Sequence, residues 1–231
     1  MYLDNSLNFD YTKYSIGKSQ GDRKYHKDTF IYSLSDFLNT LGVKVTTSLS
    51  IARCLYERMS DLDLYYHNFI HPLALFSFAE QNNIKLNESE ILAVWFHDAI
   101  YVPGARMGNN EQLSADFLGC MLEPILGSTR IDLAQKIIRQ TSNFLNQEVQ
   151  NYSKLVMDLD LSSFAFDYNK FVRVQELVAK ELGGSKQDAI KFYNMLMTGR
   201  SSIFRTATFS KFEDQAHINI NRFIKENSHA D

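Results

Sequence analysis

The segment Asn87-Glu88-Ser89-Glu90-Ile91-Leu92-Ala93-Val94-Trp95-Phe96-His97-Asp98 decides how this chain is read. Asn87 followed three residues later by Glu90 is a capping-box pattern, in which each side chain satisfies a backbone N–H that a first helical turn leaves without a partner. The run Ile91 to Phe96 behind it is apolar nearly all round, so the helix it predicts has no polar face for water and belongs at the centre of the fold. His97 and Asp98 end that run. Adjacent ionisable residues at a buried helix end need compensation, because an unpaired buried charge is costly or shifts its pKa until it is neutral. A bound cation is one such compensation. Imidazole nitrogen with carboxylate oxygen suits a divalent ion: Mn, Fe, Zn, Co or Ni, or Mg with water completing the shell. A His-Asp pair alone is equally the mark of a capping Asp beside a surface His, so the weight falls on the rest of the chain.

Outward from this segment, apolar residues recur at helical spacing. Upstream, Asn68 is a cap candidate for a helix with Pro72 in or near its first turn and Leu73, Leu75, Phe76 and Ala79 inside, ending at Gln81-Asn82-Asn83. His67 and His71 share a face of it only if the helical turn begins at or before His67. Earlier still, Thr46 or Thr47 caps a helix carrying Ile51, Ala52, Leu55 and Met59, and another runs from Asp28 to a stop at Gly42. Downstream, Asn109 or Asn110 and Ser128 or Thr129 open two helices. Two aspartates, Asp158 and Asp160, interrupt the apolar run Leu155 to Leu161. A helix from Asp167 to Leu182 follows, then two more with Ser185/Asp188 and Ser210/Glu213 as capping boxes. No strand alternation is evident. The expected fold is all-α, a compact bundle of about eight helices in a single domain over residues 29–231, behind a polar extension over 1–28. Gly17 to Asp22 reads as a loop in that extension. Its Gly17-Lys18-Ser19 is not a phosphate loop, since the upstream glycine is missing and no buried strand precedes it.

Composition narrows the function. The chain has 231 residues, 45% hydrophobic and 22% charged, as an ordinary globular protein does. A formal net charge of -3 with scattered Lys and Arg argues against duplex nucleic acid or an anionic membrane surface as partner. Cys54 and Cys120 lie in helical patterns without CxxC spacing and read as reduced core thiols. Met1 to Phe9 lacks a basic segment followed by an apolar run, and no apolar stretch approaches a membrane span, so a cytoplasmic protein is expected.

Four motifs then stand in order: Tyr66-His67-Asn68-Phe69-Ile70-His71, Phe96-His97-Asp98-Ala99-Ile100-Tyr101, Asn110-Glu111-Gln112-Leu113-Ser114-Ala115 and Asp158-Leu159-Asp160-Leu161. A weaker echo is Arg200-Ser201-Ser202-Ile203-Phe204 with Phe212-Glu213. The set resembles the HD-domain superfamily of metal-dependent phosphohydrolases, and within it a small family of predicted HD phosphohydrolases carrying YHNxxH, FHDAxY, NExxSA and DxDL. The resemblance covers roughly residues 45 to 225. The first motif is also similar to the signature of cyclic-nucleotide phosphodiesterases, although Pro72 stands where that signature has Ala.

The resemblance implies a metal-dependent hydrolase of a phosphate ester or anhydride of a nucleotide or related small molecule. It makes His71, His97, Asp98 and Asp160 the metal ligands, with Asp158 the alternative to Asp160. It makes His67 the proton donor to the leaving group and Asp98 part of the catalytic set; Glu111 either orients water or merely complements the helix dipole. Asn68, besides capping, and Arg106, Arg139 and Arg200 are candidates for substrate contact, since guanidinium matches phosphate oxygens in pairs. No histidine occurs in Ile137 to Phe144, which favours one metal ion over two. A homodimer is compatible with the resemblance. Two other functions remain open at this point: a catalytically weak HD protein that binds a nucleotide or a partner, and a cyclic-nucleotide phosphodiesterase.

Overall fold

The side chain of Asn87 accepts from Glu90 N (3.1 Å) and the Glu90 carboxylate accepts from Asn87 N (2.8 Å), so the capping box forms. It opens the fourth helix of the chain, α4 (Glu88–Phe96). Leu92, Val94 and Phe96 expose nothing and Trp95 almost nothing, and full burial of a side chain of this kind contributes about 1.5–3 kcal/mol. Phe30 meets the Trp95 ring edge-on at 5.1 Å and Phe76 lies 4.8 Å from it. With no polar face to give to water, α4 is surrounded: it packs against α3 (Ile70–Gln81), α5 (Asn109–Leu126), α6 (Ser128–Gln140) and α7 (Lys154–Asp160).

The computed structural model describes residues 20–146 and 148–228, and among these there are ten α-helices and no strand. The all-α class is therefore as the sequence leads one to expect. The first pair, α1 (Gln20–Thr40) and α2 (Val45–Arg58), pack against each other, as do α5 and α6. A carboxy-terminal group, α8 (Tyr168–Leu182), α9 (Lys186–Gly199) and α10 (Glu213–Asn227), gathers round the 3-10 segment Leu161–Ala165. Among the described residues, no helix is long and apolar enough to cross a membrane.

Several local expectations are corrected. Helix α1 begins at Gln20, so Gln20 to Asp22 are helical rather than looped, and the buried His26 anchors a turn ahead of Asp28. Gly17-Lys18-Ser19 lies outside the described residues. Helix α2 starts at Val45 behind Lys44, not behind Thr46 or Thr47. Glycines at positive φ, Gly108 (85°) and Gly127 (83°), precede α5 and α6 in place of the Asn and Ser or Thr caps, and only glycine adopts such angles without strain. Ser210 sits inside the 3-10 turn Ala207–Phe212, and Glu213 accepts instead from Ile203 N (2.5 Å) and Phe204 N (3.0 Å), so that capping box does not form. The box of Ser185 and Asp188 does, and Gly183 closes α8 in the left-handed region. Cys120 is exposed and Cys54 only half-buried, so the chain has no pair of core thiols.

Candidate metal centre

Helix α3 starts at Ile70, which places His71 in its first turn and Pro72 third, while His67 lies in the preceding loop. His97 follows the last residue of α4, its amide still donating to Ala93 O (2.8 Å), so the helix carries His97 and Asp98 to its buried end. Asp160 closes α7. These three helix ends meet. His71 Nε2 lies 2.9 Å from Asp160 Oδ1, 3.2 Å from His97 Nε2 and 3.6 Å from Asp98 Oδ2. His97 Nε2 lies 3.0 Å from Asp98 Oδ2 and 3.6 Å from Asp160 Oδ1.

His71, His97 and Asp98 lie close enough together to share a cation, with Asp160 set against His71 at their edge. An ion about 2.1 Å from each donor spaces neighbouring donors about 3.0 Å apart in an octahedron and about 3.4 Å in a tetrahedron. Three further observations agree. The donor set, two imidazoles and two carboxylates, is one that divalent transition metals take. His97 Nδ1 is 3.0 Å from Val94 O; a proton donated there leaves the Nε2 lone pair directed at the cluster, the arrangement by which proteins fix a ligand histidine. Asp98 Oδ2 is buried beside His97 Nε2 at 3.0 Å, with no well-formed hydrogen bond among the described residues, a state that a cation between the two would relieve.

The charges of the cluster are coupled. Burial works against the charge of Asp160, yet His71 and His97 beside it hold its carboxyl far below the usual range. Burial likewise opposes the charge of Asp98, and His97 and His67 hold it low. Burial would depress His97, but Asp98 and Asp160 raise it well above the ordinary imidazole value. The two ionised carboxylates thus draw positive charge to the imidazoles between them.

Asp158 is elsewhere. Its carboxylate accepts from Arg205 N (2.7 Å), Thr206 N (2.8 Å) and Thr206 Oγ1 (2.7 Å), fixing the connection between α9 and α10. Of the two aspartates in the motif, Asp160 alone touches the histidines.

His67 sits at the rim of this cluster, its ring 5.9 Å from that of His71 and stacked on Tyr101 at 3.9 Å. Its Nδ1 is hydrogen-bonded to Glu181 Oε1, while Glu181 Oε2 accepts from Tyr66 N (2.9 Å) and His67 N (3.1 Å). Burial lowers the His67 pKa, but Asp98, Glu181 and Asp160 outweigh it and the net shift is upward. Glu181, from the far end of α8, is the functional side chain that sequence reasoning missed. A signal was present: Phe171, Val174 and Leu177 form the buried stripe of α8, and Glu181 stands where the period calls for another apolar residue.

The third motif stitches the His-Asp turn to α5. Ser114 Oγ accepts from Ile100 N (3.0 Å) and donates to Ile100 O (3.2 Å), and Asn110 clasps Val102 N and O (3.1 and 3.2 Å). Glu111, between them in the first turn, has its carboxyl raised by burial and further by Asp98 and Asp160, so it shares the field of the cluster.

The remaining candidates disperse. Asn68 is occupied with local backbone: Oδ1 accepts from Ile70 N (2.9 Å), and Nδ2 donates to Leu64 O (3.1 Å) and Tyr65 O (3.2 Å). It is a turn-fixing residue, with no amide group left for substrate. Arg139 binds Gln112 and Asp116 across α5 and α6, and Arg106 is exposed in the loop before α5. Arg200 donates to Ile203 O (2.8 Å), with Nε and Nη1 buried and unpartnered; burial and the neighbouring Arg205 lower its pKa to about 10.

A cavity of about 320 Å³ adjoins the cluster, with His67 and Asp160 in its wall. No protein-family model matches this chain, and neither a curated protein nor a solved structure matches it.

Proposed function

We propose that this chain is a metal-dependent phosphohydrolase of the HD type, acting on a phosphate ester or anhydride of a nucleotide or related small molecule. The observation that carries the reading is the buried group of His71, His97 and Asp98, close enough together to hold a metal ion, with Asp160 Oδ1 2.9 Å from His71 Nε2. His71, His97 and Asp98, with Asp160, would hold one divalent ion. Such an ion would supply Lewis acidity toward water and a phosphoryl oxygen.

The rest falls to the chain's own side chains. His97 is kept in the ligating tautomer by Val94 O. His67, charged and oriented by Glu181 through Nδ1, presents Nε2 to a leaving oxygen and gives it a proton. Tyr101 stacks on that imidazole and fixes its plane. Glu111, facing the same charges, orients water on its way to phosphorus.

The test is elemental analysis of the purified protein beside turnover of phosphate esters with and without EDTA. We expect near-stoichiometric transition metal and EDTA-sensitive turnover in the wild type, and neither in the doubly substituted His97→Ala/Asp98→Ala protein. A folded protein that takes up no metal even when Mn or Fe is supplied ends the hydrolase reading. One that keeps metal but turns over no phosphate ester is a binding module with a structural ion.

A further inference from the structure

The cavity beside the metal centre runs from His67 and Asp160 between the 3-10 segment Leu161–Ala165, α8 and α9. Its mouth is marked by exposed residues of the α8–α9 turn, Leu182, Gly184, Ser185 and Asp188. Deeper in, the wall is apolar and aromatic: Phe144, Phe164, Val174, Val178, Phe192 and Tyr193. At about 320 Å³ it stands at the small end of ligand pockets, which run from about 300 to 1,000 Å³.

Two features of the lining select an occupant. First, among the described residues no Lys or Arg lines the cavity; its charged groups besides His67 and Asp160 reduce to Asp188, which is paired with Lys191 (3.2 Å) at the mouth. A second or third phosphate extending into this space would meet no cation. Second, a polar atom on a residue of the wall lacks a protein partner among the described residues. Tyr193 Oη is fully buried and makes no hydrogen bond, and burial pushes the phenol far above its ordinary pKa, so it stays a neutral donor. Ser163 and Gln175, both buried, add polar side chains to the same wall. Buried polar groups are otherwise nearly always paired, so an unpaired phenol on a residue of the wall, beside the polar side chains of Ser163 and Gln175, favours an occupant with a polar edge.

We propose that this cavity receives the uncharged, ring-sized organic group of a phosphate monoester, whose polar edge meets Tyr193 and Gln175 while its single phosphate lies at the metal centre. This rests on the hydrolase reading above. Water adds to phosphorus, the P–O bond to the alcohol breaks, and the alcohol oxygen leaves with the proton of His67, which the water restores. The products are the free alcohol and inorganic phosphate. Apolar burial of the ring holds the leaving group, and the absence of cations in the wall turns away di- and triphosphates.

The experiment uses Mn-loaded full-length protein with 1-naphthyl phosphate, inorganic pyrophosphate and ATP as substrates, and calorimetry of 1-naphthol with the protein before and after metal loading. We expect naphthyl phosphate to exceed the other two in kcat/KM by about 100-fold. Naphthol itself should bind with or without metal, should be lost from Ala179→Trp, which fills the cavity, and should weaken about 5-fold in Tyr193→Phe. The second variant removes only an unpaired hydroxyl, so it reports on the cavity even if the first does not fold. Equal turnover of ATP or pyrophosphate, or ester hydrolysis without naphthol binding, overturns the cavity assignment and leaves the hydrolase reading standing. Naphthol binding with no ester hydrolysed under any metal overturns both the hydrolase reading and the phosphate half of this one.

Discussion

Asp158 and Asp160 stand two residues apart on α7, about 200° around its axis, and their surroundings have nothing in common. Asp160 faces two imidazoles, and those hold its carboxyl well below the usual range against the cost of burial. Asp158 faces a loop, and two amides and a hydroxyl converge on it. There burial prevails over those hydrogen bonds and pushes its carboxyl up to about 6. One aspartate is paired with two imidazoles; the other is the shared acceptor of two amides and a hydroxyl. The helix therefore divides its carboxylates between the histidine cluster and the α9–α10 connection.

The largest effect expected from breaking this pair lies on the chemical side. Asp160→Ala should lower metal content below half and kcat by about 1,000-fold or more, in line with loss of a principal charge-stabilising group, while melting close to the wild type. A variant that keeps stoichiometric metal and full turnover would remove Asp160 from the ligand set.

Asp158→Ala should behave in the opposite way. Three donors lose their acceptor, two of them backbone amides of the α9–α10 connection, and a buried donor left unsatisfied costs about 1–3 kcal/mol. We expect a loss of about 2–4 kcal/mol in urea unfolding, with metal stoichiometry unchanged in the protein that remains folded at low denaturant. Stability within error of wild type, or an empty metal site in the folded variant, would erase the contrast between the two aspartates.

Glu181 sharpens the comparison because it does both things at once. One oxygen accepts two backbone amides and the other holds His67. In Glu181→Gln the amide oxygen can still serve one side, but the negative charge is gone. The His67 pKa, raised in the wild type by Asp98, Glu181 and Asp160 together, then falls. A general acid works while protonated, so activity disappears as pH rises through its pKa. The alkaline limb of kcat/KM should accordingly move to lower pH, with turnover down about 10- to 100-fold. An unmoved pH profile with ordinary loss of stability would make Glu181 a clasp for Tyr66 and His67 and nothing more.

How much of this was legible depended on how local the partner was. The capping boxes Asn87/Glu90 and Ser185/Asp188 close within three residues, and both formed as read. The box expected at Ser210/Glu213 has the same spacing, but Glu213 finds two loop amides nine and ten residues back and takes those instead. The His-Asp turn was legible because an apolar helix ran straight into it. Asp160 against Asp158 was not, since the choice depends on which side of α7 faces α3 and α4 and which faces the later connection. Glu181 reaches a partner 114 residues away; only its place in an otherwise buried stripe betrayed it. Ser114 and Asn110 were visible as motif letters, but their work as stitches for Ile100 and Val102 required the fold.

The smallest effect isolates a single contact within the Asp158 clasp. Thr206→Val keeps the β-branched shape and removes only the hydroxyl that donates to Asp158 Oδ2 at 2.7 Å. The amides of Arg205 and Thr206 still reach the carboxylate, so no donor is stranded and the acceptor keeps two of its three partners. Thr206 is half-buried, and a hydrogen bond of this kind contributes about 1 kcal/mol net. The unfolding free energy from urea denaturation should drop by that amount, while metal content and turnover stay at wild-type values. If turnover falls with the hydroxyl, the α9–α10 connection is coupled to the metal centre through α7, and the two aspartates belong to one device rather than two.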